Sequence, residues 1–230
     1  MKVVIHVGLQ KTATKFLQKV VFPSIENINF LNKNEAIRID MNLSVNKINL
    51  LSSEEFAGCP WDKNVNDRFL IADRLKKLFP NAKIILVVRE KESWLKSIYK
   101  NYVRKGGTHN FDEFREKDFA EERLEFEKYE HYLKKLFSEV YVDDIKHLKE
   151  DHYDFVKDLC EFIGCAVPEY KNTIVNKAWN DRQIKLGLFL NRYWYNEEFN
   201  KKGFINIKPD ILKQVIRPRS LVSILNGEKW

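Results

Sequence analysis

Five aliphatic residues in a row, Ile84-Ile85-Leu86-Val87-Val88, stand between Lys83 and Arg89. An apolar run this short, bounded by charges and rich in β-branched residues, reads as a strand covered on both faces, the habit of parallel sheets. Residues 2–7 repeat the character, and 28–31, 48–51 and 139–142 supply shorter strands. Between them, apolar residues recur at helical spacing over 13–21 (stopping near Pro23), 68–79, 92–105, 119–137, 154–163 and 181–195. Gly106-Gly107 and Gly164 follow two of these runs as helix stops. Strands alternating with helices predict an α/β fold of three layers, a central parallel β-sheet flanked by helices. At 230 residues the chain suits one domain, 1–230.

Composition narrows the function classes. The net charge of +7 favours an anionic partner, yet the 40 Lys and Arg are scattered among 33 acids. No basic block or nucleic-acid motif accompanies them, so nucleic acid is not the expected partner. No segment offers the ~20 apolar residues of a membrane span. The apolar run at the N-terminus is too short for a signal peptide and is followed by Gln10, Lys11 and Thr12. Three cysteines, Cys59, Cys160 and Cys165, have no metal-like spacing and suit a reducing cytoplasm. Cys160 reads as an inert core thiol.

Two segments carry chemistry. Gly8-Leu9-Gln10-Lys11-Thr12-Ala13-Thr14 follows the first strand and opens a helix, where backbone N–H groups and the helix dipole favour an anion. Lys11 adds a positive charge, and Thr12 and Thr14 add hydroxyls. The pattern is P-loop-like without being G-x-x-x-x-G-K-[ST], since no second Gly precedes Lys11. An ordinary strand-to-helix turn with a Lys-Thr pair is the competing reading. The other segment ends the Ile84–Val88 run at Arg89, with Ser93, Trp94 and Ser97 on the helix beyond. A metal-dependent nucleotidase carries an acid at such a strand end. Arginine there suits a second phosphate instead, although a salt bridge from Arg89 to Glu90 or Glu92 accounts for it equally well.

Together the two segments resemble the PAPS-dependent sulfotransferases (PAPS is 3′-phosphoadenosine 5′-phosphosulfate). The family's 5′-phosphosulfate loop, G-x-x-K-[ST]-[GA]-[ST], is matched by Gly8 to Thr14, and its strand-end Arg with a Ser eight positions later by Arg89 and Ser97. The segments Tyr141-Val142-Asp143-Asp144-Ile145 and 155–164 also resemble the family's penultimate strand and following helix. The resemblance implies a P-loop-NTPase-like sheet and transfer of a sulfuryl group from PAPS to an acceptor hydroxyl or amine, with PAP as product and no metal. It implies donor contacts from Gly8, Gln10, Lys11, Thr12, Ala13, Thr14, Lys15, Arg89 and Ser97, with Lys11 stabilising the departing phosphate. Ala13 departs from the commoner Gly, and Lys15 from a small hydroxyl residue. The family's basic C-terminal loop is not plain, with Arg217 and Arg219 as candidate substitutes.

A base is needed for the acceptor proton. Glu54, in Ser52-Ser53-Glu54-Glu55-Phe56 after the third strand, is the candidate; bacterial sequences of this kind carry a similar Ser-Ser-Glu. A glutamate favoured by a helix's first turn is the plain alternative. Among five histidines His109, beside Gly106-Gly107, is the rival base, whereas His6 in the first strand reads as core. Tyr193-Trp194-Tyr195, Trp179 and Trp61 suit stacking on a sugar acceptor and core packing alike. An inactive anion- or glycan-binding module on the same fold and a P-loop nucleotide kinase are the other readings.

Overall fold

The computed structural model describes residues 1–36, 42–171 and 179–193. Arg217, Arg219, Trp194 and Tyr195 lie outside them. Five strands, β1 (Lys2–His6), β2 (Ile28–Leu31), β3 (Ile48–Ser52), β4 (Lys83–Val88) and β5 (Val140–Asp144), pair in parallel in the order β2-β3-β1-β4-β5. The helical segments are α1 (Thr14–Phe16), a π-helical turn over Leu17–Val21, α2 (Phe22–Ser24), α3 (Lys33–Ala36), α4 (Asp67–Leu78), α5 (Lys91–Arg104), α6 (Phe111–Lys117), α7 (Phe126–Leu136), α8 (Ile145–Glu150), α9 (His152–Ile163) and α10 (Asp181–Tyr193). Single 3-10 turns occupy Glu54–Ala57 and Glu121–Leu124. The predicted fold class, a parallel sheet flanked by helices, is the one observed.

The chain packs as two compact units. The first comprises Met1–Trp94 and Ala120–Asn176 and contains the whole sheet. Because side chains alternate across a strand, Val4, Leu50, Ile85 and Val87 share one face, which Phe16, Leu17, Val21 and Phe22 cover together with Phe155, Val156, Leu159, Cys160 and Ile163 of α9. Ile5, Leu51, Ile84 and Leu86, all buried, alternate with them onto the other face, where α7 packs on β4 and β5 and α4 packs on α7. Cys160 is a buried core thiol, as expected.

The second unit holds Leu95–Phe119 and, from the C-terminal part, the described residues 179–193. Its centre is aromatic: Tyr99, Tyr102, Phe111, Phe114 and Phe119 meet ring to ring. The buried amide of Asn191 on α10 donates to the carbonyls of Val103 and Gly107, both at 2.8 Å. Trp179 is buried here with the Arg104 guanidinium over its ring, so it is a packing residue in this unit.

Local differences from expectation have local causes. The single helix expected over 119–137 is a 3-10 turn and then α7, separated at Glu125. The carbonyls of Glu122, Arg123 and Glu125 are drawn to the buried Arg68 guanidinium, and that pull competes with a continuous helical ladder. Helices α6 and α8 went unread. They are short, and their apolar periodicity is weaker than their caps: an Asn110–Glu113 capping box and an Asp144 cap.

Candidate functional site

The candidate functional edge of the sheet is the carboxyl end of β1, flanked by β3 and β4. In open α/β sheets ligands sit beyond these ends. Pairing continues past the strands: Val7 donates to Ile85 (3.0 Å), Val87 to Gly8 (3.3 Å) and Ser53 to His6 (3.3 Å). The loops carrying Gly8–Lys15, Glu54 and Arg89 thus leave three adjacent strands of the first unit, which brings those residues to one edge.

The first loop is braced from inside. The Thr12 and Thr14 hydroxyls, both buried, donate to the Leu9 carbonyl at 2.8 and 3.0 Å. The Gln10 amide donates to the carbonyls of Glu54 and Gly58, each at 2.7 Å, and Trp94 Nε1 donates to the Gln10 carbonyl at 2.7 Å. The side chains expected to contact the donor, Gln10, Thr12 and Thr14, therefore build the loop itself here. Gly8 has φ +88°, and a Cβ there would stand 3.2 Å from Glu54 Cα, so a side chain would meet both strain and the neighbouring loop. Lys11 (φ +66°) and Ala13 (φ +60°) are also left-handed. At Ala13 a non-glycine residue in this backbone costs about 1–2 kcal/mol.

On the neighbouring strand end, Arg89 is half-buried and spreads its guanidinium. Nε and Nη2 donate to Ser93 Oγ at 2.9 and 2.7 Å, and Nη1 donates to the Lys11 carbonyl at 3.2 Å. Burial lowers its pKa from the ordinary arginine value, opposed by Glu90 and Asp144. The Glu90 carboxylate caps α5, accepting from the backbone N–H groups of Glu92 and Ser93. Ser93, not selected from the sequence, is thus the hydroxyl on Arg89; its spacing of one helical turn was the available signal. Ser97 is half-buried one turn further along α5, on the part of that helix in the second unit.

Glu54 opens the 3-10 turn after β3, with the buried Ser53 hydroxyl accepting from Glu55 N–H as the cap. Its carboxylate meets Lys15 at 3.3 Å, so Lys15 points at Glu54. Burial raises the Glu54 carboxyl, but its own backbone N–H, Lys15 and Lys33 outweigh that, and it sits below the usual glutamate value. Glu55 faces elsewhere, onto Lys33 at 2.6 Å. Beneath Glu54 lies a buried polar row that sequence reading missed. Gln18 donates to the Ser52 carbonyl and Oγ, both at 3.1 Å, and His6 Nδ1 shares a hydrogen bond with Ser52 Oγ at 2.8 Å. A polar residue within the apolar run Phe16-Leu17-Gln18-Lys19-Val20-Val21 was the only hint. His6 is wholly buried, and burial pushes its pKa down to about 4.

The rival base belongs to the second unit, where His109 Nδ1 is hydrogen bonded to the Asp118 carboxylate, which also accepts from Tyr102 Oη at 2.9 Å. Among the described residues, His147, Asp154 and Asp158 bring potential metal-ligand atoms within 4.8 Å of one another. The His147 ring is already held between Asp143 (2.7 Å) and Asp154 (3.4 Å), an arrangement that raises its pKa. No described helix is long and apolar enough to cross a membrane.

Residues 67–158 match a family model described as a sulfotransferase domain, a stretch holding Arg89 and Ser97 but not the first loop. No curated protein matches the chain in sequence. A sulfotransferase from Alicyclobacillus acidocaldarius shares the fold with a TM-score of 0.57 and 17% identity, over 84% of this chain and 93% of that one. A mouse sulfotransferase complexed with PAP aligns with a TM-score of 0.47 and 14% identity, over 98% of this chain and 81% of that one. The resemblance to sulfotransferases is therefore found in sequence for the central segment and in fold for most of the chain.

Proposed function

We propose that this chain transfers a sulfuryl group from PAPS to an acceptor hydroxyl or amine. The observation that carries the reading is the junction of two anion-binding elements, in which the Arg89 guanidinium is hydrogen bonded to the Lys11 carbonyl. One element offers a strand-to-helix loop with a lysine; the other offers an arginine fork at the next strand end. Two anionic groups on one nucleotide, a 5′-phosphosulfate and a 3′-phosphate, suit two cationic elements so joined.

The donor supplies a sulfuryl group on a phosphate leaving group, and the chain supplies charge and orientation. Lys11 stands at the loop to offset negative charge on the departing 5′-phosphate. Arg89 takes the 3′-phosphate. The loop amides and Lys15 hold the phosphosulfate. As the S–O bond to the donor breaks and the bond to the acceptor oxygen forms, the acceptor proton passes to Glu54, which is ionised near neutral pH. PAP and the sulfated acceptor leave. A sugar hydroxyl is one acceptor consistent with the reading, and the cytoplasm is the proposed location.

A second reading of the base rests on the second unit. A histidine held through Nδ1 by a carboxylate presents Nε2 as its basic nitrogen, and Asp118 holds His109 in that manner.

Thermal unfolding with PAP and with 5′-AMP tests the donor. PAP raises Tm with concentration by mass action, and 5′-AMP does so much less. Equal stabilisation by both, or by neither, overturns the assignment. Turnover of labelled PAPS across hydroxyl and amine acceptors then identifies the acceptor class.

A further inference from the structure

Gln18 is a buried amide, 8% exposed, beneath the Lys15–Glu54 pair. Its Oε1 accepts from Lys15 Nζ at 3.3 Å, and its Nε2 reaches Glu54 Oε2 at 3.4 Å while donating to Ser52. Only this amide orientation is chemically consistent. The flipped one sets NH2 against an ammonium and a carbonyl oxygen against both a backbone carbonyl and a carboxylate. Behind Ser52, His6 closes the row through Nδ1.

The backbone under Gln18 is equally specific. Gln18 lies in the π-helical turn Leu17–Val21, set between the α-helical turns of α1 and α2. Such single π-turns are rare and concentrate at functional sites, because the extra residue re-aims a side chain. Leu17, Val21 and Phe22 of this run are buried apolar residues, and Gln18 is the polar member buried with them. A buried amide needs partners to be tolerated. Ser52 takes up its N–H donors, and beyond that the amide spans both members of the Lys15–Glu54 ion pair.

We infer that Gln18 is a positioning residue for sulfuryl transfer: its amide sets the Glu54 carboxylate and the Lys15 ammonium relative to one another, while Ser52 and His6 fix the amide. The inference rests on Glu54 serving as the acceptor base. Charged or titratable groups around that carboxylate are Lys15 from α1, Lys33 from α3, buried His6 from β1 and the adjacent Glu55.

The test uses the full-length chain with Gln18→Met, which keeps length and removes both hydrogen-bonding atoms, alongside Ser52→Ala, which leaves the amide one anchor fewer. Two readouts are taken: the carboxyl titration of Glu54 by NMR, which needs no turnover, and the pH dependence of kcat with labelled PAPS. Gln18→Met is expected to move the Glu54 titration and the acid limb of kcat upward together by about one pH unit, the loss of one hydrogen bond to a charged group. It lowers kcat at neutral pH by about tenfold and leaves PAP affinity nearly unchanged. Ser52→Ala shifts both limbs the same way by less, and carries the test if Gln18→Met fails to fold. An unmoved Glu54 titration in both variants overturns the inference whatever the enzyme turns over. A moved titration with an unmoved acid limb removes Glu54 as the base, and Gln18's part in the reaction with it.

Discussion

Arg89 Nη1 donates to the backbone carbonyl of Lys11 at 3.2 Å, so the side chain at one strand end holds the shape of the loop at the next. Its Nε and Nη2 both donate to Ser93 Oγ. A residue so placed affects an anion in two ways, by its own charge and by the loop it props. These two effects separate experimentally.

Arg89→Ala is expected to weaken PAP binding by about 2–3 kcal/mol, the range for losing a charge-assisted hydrogen bond. The loss is smaller for 5′-AMP, which lacks the 3′-phosphate, and what remains there measures the propping of the Lys11 loop. Calorimetric titration of both nucleotides reads the difference. An equal loss for both removes the 3′-phosphate from the account of Arg89. Arg89→Lys recovers only part, since a point charge cannot reach Ser93 and Lys11 together.

Lys11→Ala is expected to cut turnover by about a hundredfold or more while PAP affinity falls far less, since its proposed interaction strengthens as the leaving phosphate gains charge. Steady-state rates and calorimetry on the same preparation check this. Near-normal turnover takes Lys11 out of the chemistry.

Glu54→Gln keeps size and polarity and removes basicity. It is expected to lower turnover by about a hundredfold with PAP affinity almost unchanged. Glu55, paired with Lys33 instead, serves as the control, and Glu55→Gln is expected to retain turnover. Full activity in Glu54→Gln combined with loss in His109→Ala transfers the role to the His109–Asp118 pair.

His6 gives a stability signature with a definite sign. Its folded pKa, about 4, lies below the ordinary histidine value of 6.5 because burial disfavours the imidazolium, with Glu54 opposing. The unfolded chain therefore binds the extra proton first. The contribution is complete above pH 6.5, declines as pH falls, and is gone below about pH 4, a total of about 3 kcal/mol. Urea unfolding from pH 7 to 4 is expected to show this slope and to be flatter in His6→Asn. Parallel slopes in the two proteins would falsify a buried neutral His6.

Sequence alone determined the fold class. The Ile84–Val88 run is wholly apolar, and Val3–Val7 is apolar apart from His6, because both faces are covered, and that pattern survives in one dimension. Gly8, Lys11, Glu54 and Arg89 could be placed near one another for a related reason: each follows a strand end, and parallel strands bring their ends to the same edge. Tertiary structure decided which partners those residues take. Ser93 meets Arg89, Lys15 meets Glu54, and the Thr12 and Thr14 hydroxyls turn inward to Leu9. Gln18, Ser52 and His6 come from three separate elements, and no local spacing announces their hydrogen bonds. Periodicity records which face of an element is buried. A hydrogen bond between distant residues depends on strand order and register, which exist only once β1 lies between β3 and β4.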